Sequence, residues 1–113
     1  MKKSPIDRID SILKAHAKRC AYCGAPFVFG EGKTIDHISP KSKNEDESGR
    51  NKVVVCQRCN SIKSNMTFSV FKEIAPVDNI KEYCKDFGDL QLPTGEHYAR
   101  LIQKRFGIGK DEL

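Results

Sequence analysis

Two C-x-x-C pairs mark this chain of 113 residues: Cys20 with Cys23, and Cys56 with Cys59, with 32 residues between the pairs. Two cysteines at this spacing can turn both sulfurs of a tight knuckle toward one metal ion. Two knuckles then supply the four thiolates of a closed tetrahedral site, which suits Zn²⁺. A site with four protein ligands keeps no open position, so this ion is expected to be structural. Four thiolates also suit iron. The alternatives without metal are disulfides, which fit poorly with a chain showing no export signal, and a redox pair, which is expected once and near a βαβ pattern. A fifth cysteine, Cys84, falls on an apolar stripe and is expected to be a small core residue.

Between and beside the knuckles stand polar residues that could do chemistry: Asp36-His37, Asn51 and Asn60. Hydrolysis of a phosphodiester needs a hard cation to neutralise developing charge, a base for water, and a cationic groove. Asp and Asn oxygens suit Mg²⁺ or Mn²⁺. A histidine titrating near neutrality suits a general base. Each residue also has a plainer role: Asp36-His37 as a surface pair, Asn60 as a helix cap, Asn51 as a turn residue. Joint placement around the two knuckles is what favours a site.

The elements that must position these residues can be read from pattern. Ser4-Pro5 opens a first helix, with Ile6, Ile9, Leu13, Ala17 and Cys20 at helical spacing. Phe27-Val28-Phe29 and Thr34-Ile35 predict two short strands turning at Gly30-Glu31-Gly32. Residues 41–49 are polar and mixed in charge, as in a loop. Val53-Val54-Val55 predicts a third strand leading into Cys56, with a helix starting near Asn60. Phe68, Phe71 and Ile74 share a helical face that Pro76 ends. Ile80, Tyr83, Cys84 and Phe87 form a second stripe, stopped by Gly88. A last helix, capped by Thr94 and ended by Gly107, turns Tyr98, Leu101, Ile102 and Phe106 inward. His16 and His97 are expected to be packing or surface residues. Neighbours on a regular strand face opposite ways, so the chain is expected to bend or bulge where Asp36 and His37 serve one phosphate.

Cys20-x-x-Cys23, then Thr34-Ile35-Asp36-His37-Ile38-Ser39-Pro40, then Asn51 through Lys63 together resemble an HNH endonuclease. The resemblance covers residues 20–63 and implies the ββα-metal fold. It implies that Asp36 binds the catalytic divalent ion and that His37 is the general base activating water. Asn60, at a position often held by His, would be the second protein ligand to that ion. Asn51 would brace the loop carrying the base. Only Gly49 stands where many members have Gly-Gly before the middle Asn.

The expectation is therefore one α+β domain over residues 1–113. A zinc-stapled ββα-metal core (20–66) carries an N-terminal helix and a C-terminal helical extension (67–113). The expected activity is Mg²⁺- or Mn²⁺-dependent nicking or cutting of double-stranded DNA, with low sequence specificity because no base-reading signature is evident. The chain carries a net charge of +5 with a pI of about 9.0. Lys52, Arg58, Lys63 and Lys72 stand in a stretch without acids, and Lys52, Arg58 and Lys63 are expected to touch phosphates. A zinc-dependent nucleic-acid-binding module would share the cysteines and the charge but has no need of Asp36, His37 and Asn60 together. A protein-interaction zinc domain would leave the basic bias unexplained. No apolar run suits a membrane helix, and the basic N-terminus has no apolar stretch behind it. A cytoplasmic monomer or weak homodimer is expected, the terminal Lys110-Asp111-Glu112-Leu113 being a coincidental match to a retention signal.

Overall fold

A computed structural model describes residues 5–28 (5–7 for the backbone alone), 32–40, 48–75, 79–88, 90 and 95–108. Helix α1 spans Pro5–His16, strand β1 Lys33–His37 and strand β2 Lys52–Cys56. Helices α2 (Gln57–Lys63), α3 (Phe68–Phe71), α4 (Ile80–Lys85) and α5 (Gly95–Arg105) follow. The strands pair antiparallel, from Lys33 opposite Cys56 to His37 opposite Lys52. Helix α2 packs on this ribbon, so the core is ββα with helices around it. No described helix is long and apolar enough to cross a membrane.

A two-stranded ribbon is marginal in water unless something covers it. Here Val53, Val54 and Val55 are wholly buried, each contributing about 1.5–3 kcal/mol by leaving water. The second edge of β2 is also used. The Val54 N–H donates to the Tyr83 hydroxyl (2.9 Å), and its carbonyl accepts from the Ala21 N–H (3.0 Å). The Tyr98 hydroxyl donates to the Lys52 carbonyl at 3.0 Å. An edge that could template aggregation is thus capped by the first knuckle and by two tyrosines of the C-terminal helices.

The predicted stripes locate the core. Leu13 and Ala17 of the N-terminal stripe are buried, as are Ile80, Tyr83, Cys84, Phe87, Tyr98 and Ile102. Phe87 packs on Tyr83 (4.8 Å between ring centroids) and on Tyr98 (4.9 Å). Helix α5 ends in paired turns: Gly107 N–H donates to the Lys104 carbonyl, and Ile108 N–H to the Gln103 carbonyl. Gly107 takes φ +77°, the left-handed conformation this C-terminal motif requires. At the other end of α5, Gly95 is buried against the Phe87 and Gly88 backbone, where an added Cβ would overlap the Phe87 carbonyl oxygen.

Three expectations are corrected. Phe27 and Val28 are not in a strand. The chain there makes one bridge, Arg19 with Pro26, and the Phe27 N–H bonds to the Lys18 carbonyl, so it folds back on the knuckle instead of pairing with β1. Helix α2 starts at Gln57 rather than near Asn60, because Cys56 caps it: the Cys59 N–H donates to Cys56 Sγ. Ile74 lies beyond the single turn of α3 and is 60% exposed, although Phe71 is buried. Ser4, the Ile6 side chain, Phe29, Gly30, Glu31, residues 41–47, Pro76, Thr94 and residues 110–113 lie outside what is described.

Candidate metal centre and active site

The first knuckle, Cys20–Cys23, packs beside the end of β2, where the second begins. The reactive atoms of Cys20, Cys23, Cys56 and Cys59 all lie within 4.8 Å of one another. A tetrahedron with bonds of about 2.3 Å to sulfur has edges of about 3.8 Å. Cys23 and Cys56 Sγ are 3.8 Å apart. Backbone N–H groups support the sulfurs: Cys23 N–H points at Cys20 Sγ (3.5 Å) and Cys59 N–H at Cys56 Sγ (3.4 Å). Burial raises the thiol pKa of Cys20 and Cys59. At Cys56 burial acts upward too, but the Cys59 N–H and the neighbouring thiols lower the pKa overall. A thiophilic divalent cation, binding thiolates, fits this donor set.

The other end of the ribbon holds Asp36 and His37. Asp36, opposite Val53, is 5% exposed. Its Oδ2 accepts the Tyr22 hydroxyl and lies 3.1 Å from Lys63 Nζ. Burial lifts the Asp36 pKa, against the Tyr22 hydrogen bond, the Lys63 ammonium and the charge of His37. Tyr22 is held protonated, by burial first and then by the adjacent carboxylate. Lys63 also donates to the His37 carbonyl at 2.7 Å. One ammonium therefore ties the Asp36 side chain to the His37 backbone.

The ladder runs in register through His37. The bend expected between Asp36 and His37 comes one residue later, at Ile38 and Ser39. His37 is half-exposed as the last residue of β1. Asn51, fully buried, grips the bend. Its Oδ1 accepts the Ser39 N–H (2.9 Å) and its Nδ2 donates to the Ser39 carbonyl (3.1 Å), while the Ile38 N–H donates to the Asn51 carbonyl. Asn60, on the face of α2 that meets β1, donates Nδ2 to Thr34 Oγ1 (2.9 Å) and to the Ile35 carbonyl (3.5 Å). That orientation leaves its amide oxygen for a cation. Tyr22 and Lys63 both meet Asp36 through Oδ2, and carboxylate and carboxamide oxygens such as Asp36 Oδ1 and Asn60 Oδ1 are donors that could hold a hard cation.

The three expected phosphate contacts separate. Arg58 is exposed on α2. Lys52 and Lys63 are wholly buried and are corrected: Lys52 pairs with Asp10 (2.9 Å) and Lys63 with Asp36. A long aliphatic stem and an acid partner turned each ammonium inward, and a sequence count of charge does not reveal which lysines do this. Three residues of consequence lie outside the site expected from sequence. Asp10 holds Lys52, Tyr22 holds Asp36, and Arg105 donates Nε (3.3 Å) and Nη2 (3.0 Å) to Asn51 Oδ1. Tyr22 carried one signal, its place inside the first knuckle. An open cleft of about 550 Å³ adjoins the bend, lined by Ser39, Thr67, Ser69, Lys72, Arg105 and aromatic rings, with no acid among the described residues of its walls.

Comparison with known proteins adds a family to this geometry. The HNH endonuclease family model matches residues 20–66, which span both knuckles, Asp36, His37, Asn51 and Asn60. Residues 20–66 belong to the HNH endonuclease family. Two proteins named CRISPR-associated endonuclease Cas9 are similar to this chain. That of Corynebacterium diphtheriae is 35% identical over 74 residues, 65% of this chain. That of Actinomyces naeslundii is 32% identical over 79 residues, 69% of this chain. The chain spans 7% of the length of each. A crystal structure of the Type II-C Cas9 enzyme from Actinomyces naeslundii shares the fold, with a TM-score of 0.66 at 21% identity, over 93% of this chain and 13% of the other. The shared fold thus extends well beyond residue 66.

Proposed function

We propose that this HNH domain hydrolyses phosphodiester bonds of double-stranded DNA with a divalent cation, Mg²⁺ or Mn²⁺, held by Asp36 and Asn60. The observation that supports this is that Asp36, His37, Asn51 and Asn60 all stand along β1 or the bend after it: Asp36 and His37 as its last residues, Asn51 on the bend and Asn60 against Thr34 and Ile35, on a scaffold that also gathers four cysteines. Zinc is the structural ion in this assignment. The catalytic cation would supply positive charge against the leaving oxygen. His37 accepts the proton of the attacking water as the general base. Asn51 fixes the bend just after His37, and so the direction of the imidazole. Arg58 and Lys72 meet backbone phosphates, contacts that carry no sequence information, so low specificity follows.

The test is cleavage of supercoiled plasmid with Mg²⁺, Mn²⁺ or EDTA, beside His37→Ala. Conversion to open-circular or linear product should need added metal, and the variant should lose about 10²–10⁴-fold in rate. Binding of plasmid without cutting under every metal would replace the assignment with a nucleic-acid-binding module.

A further inference from the structure

The family match ends at residue 66, yet one contact to the site comes from much later in the chain. Asn51 Oδ1 accepts three N–H groups: Ser39 N–H at 2.9 Å, Arg105 Nη2 at 3.0 Å and Arg105 Nε at 3.3 Å. The amide is wholly buried, so its orientation is decided by these partners. Turned over, it would set its NH₂ against the guanidinium and against the Ser39 N–H, while its oxygen met the Ser39 carbonyl. A guanidinium has donors and no acceptor, so it admits only one orientation. In that orientation Asn51 holds both backbone groups of Ser39, two residues beyond His37.

We propose that Arg105, at the last position of α5, is a positioning residue for the catalytic bend: it fixes the Asn51 amide, and through it the loop that aims His37. The helical extension then completes the site rather than merely shielding the core. This rests on the assignment of His37 as base, and goes beyond it by adding a residue outside the family match. Lys104, exposed beside it, offers a charge-matched comparison.

The experiment compares Arg105→Ala, Arg105→Lys, Lys104→Ala, Asn51→Ala and the double variant Asn51→Ala/Arg105→Ala, each checked for folding by circular dichroism. Turnover with saturating DNA and Mn²⁺ should fall about 10–100-fold in Arg105→Ala, the usual effect of losing a supporting partner. Arg105→Lys, which keeps the charge but loses the two-pronged donor, should fall nearly as far while KM for DNA changes less than about twofold. Lys104→Ala should leave turnover unchanged. The double variant should be no slower than Asn51→Ala, because residues acting through one another are non-additive. Losses that multiply in the double variant, or a defect confined to KM and restored by Lys, would overturn the proposal and make Arg105 a phosphate contact. Hydrogen exchange supplies a readout independent of cleavage. Arg105→Lys should speed exchange at the Ser39 amide and leave the Val54 amide protected; unchanged Ser39 protection would sink the brace even if the protein cuts. If exchange responds but no variant, nor wild type, cuts DNA, the brace stands and the nuclease assignment falls.

Discussion

The β1–β2 ribbon has two ends built on opposite principles. At the Lys33–Cys56 end, four residues of one kind gather around one point, as a donor set that could hold a metal ion. At the His37–Lys52 end, no two supporting partners are alike. A phenol, an ammonium, a carboxamide and a guanidinium come from the first knuckle, α2, the turn before β2 and α5. The first end would be held by coordination, which tolerates little variation in ligand. The second is held by hydrogen bonds and ion pairs, which can fail one at a time. Stability should therefore be concentrated at the cysteine end, and reactivity should be tunable at the other.

The sharpest way to break this contrast is to remove the sulfur. Cys56→Ser/Cys59→Ser should abolish the cooperative fold, since structural zinc supplies about 10–16 kcal/mol of apparent binding energy in small domains. Zinc content and the far-ultraviolet circular dichroism signal measure it, and a variant that melts like wild type would refute a structural ion.

Next come the two buried lysines. Lys63→Met strands the Asp36 carboxylate, and breaking such a buried pair costs about 3–5 kcal/mol. Lys52→Met should cost less, about 1–2 kcal/mol, because its partner Asp10 remains 30% exposed to water. Denaturant midpoints distinguish the two. The salt dependence of DNA binding should be the same in Lys52→Met as in wild type, since a buried ammonium releases no counterion.

Tyr22→Phe probes the seam between the ends, because the residue sits in the knuckle and touches Asp36. Losing one hydrogen bond to a charged group should cost about 1.5–3 kcal/mol. The concentration of Mn²⁺ needed for half-maximal cleavage should shift while zinc content stays constant. Loss of zinc in this variant would merge the two ends into one unit.

The smallest effect is expected at high pH, away from both ends. Burial pushes the Cys84 thiol up from 9.0 to about 12, against a hydrogen bond with Gln103. Burial likewise raises the phenols of Tyr83 and Tyr98 above 10.0. The folded state keeps protons that the unfolded chain releases, so this contribution is complete below about pH 9 and declines as pH rises beyond it. Melting followed from pH 8 to 11 should show a gradual fall, and Cys84 should resist thiol reagents at pH 8 until the protein unfolds.

How much of this was legible in the sequence follows the same division. Four cysteines at fixed spacing announce their meeting, because only one arrangement satisfies them all. The stripes of α4 and α5 likewise mark the core, since burial repeats with the helix. Asp36, His37, Asn51 and Asn60 were visible through their order around the knuckles and the family pattern. Tyr22, Asp10 and Arg105 were not, because a hydrogen bond between residues 14 to 54 apart in the chain leaves no local periodicity. Lys52 and Lys63 misled for the complementary reason: a lysine's type gives its charge but not the direction of its stem. Phe27-Val28 has strand propensity, but propensity is weak when the chain must fold back on a knuckle.

Gly95 gives α5 something that no side chain could: a pivot. The helix starts where its backbone lies directly on the Phe87–Gly88 backbone, and in its geometry it is a lever with Arg105 at the tip. Ten residues at about 1.5 Å each make an arm of about 15 Å. A tilt of about ten degrees at the pivot would swing the tip by about 2.6 Å on such an arm, enough to part the guanidinium from Asn51. A methyl group at Gly95, far from any reacting atom, should therefore be felt as a mis-aimed histidine at the opposite end of the lever.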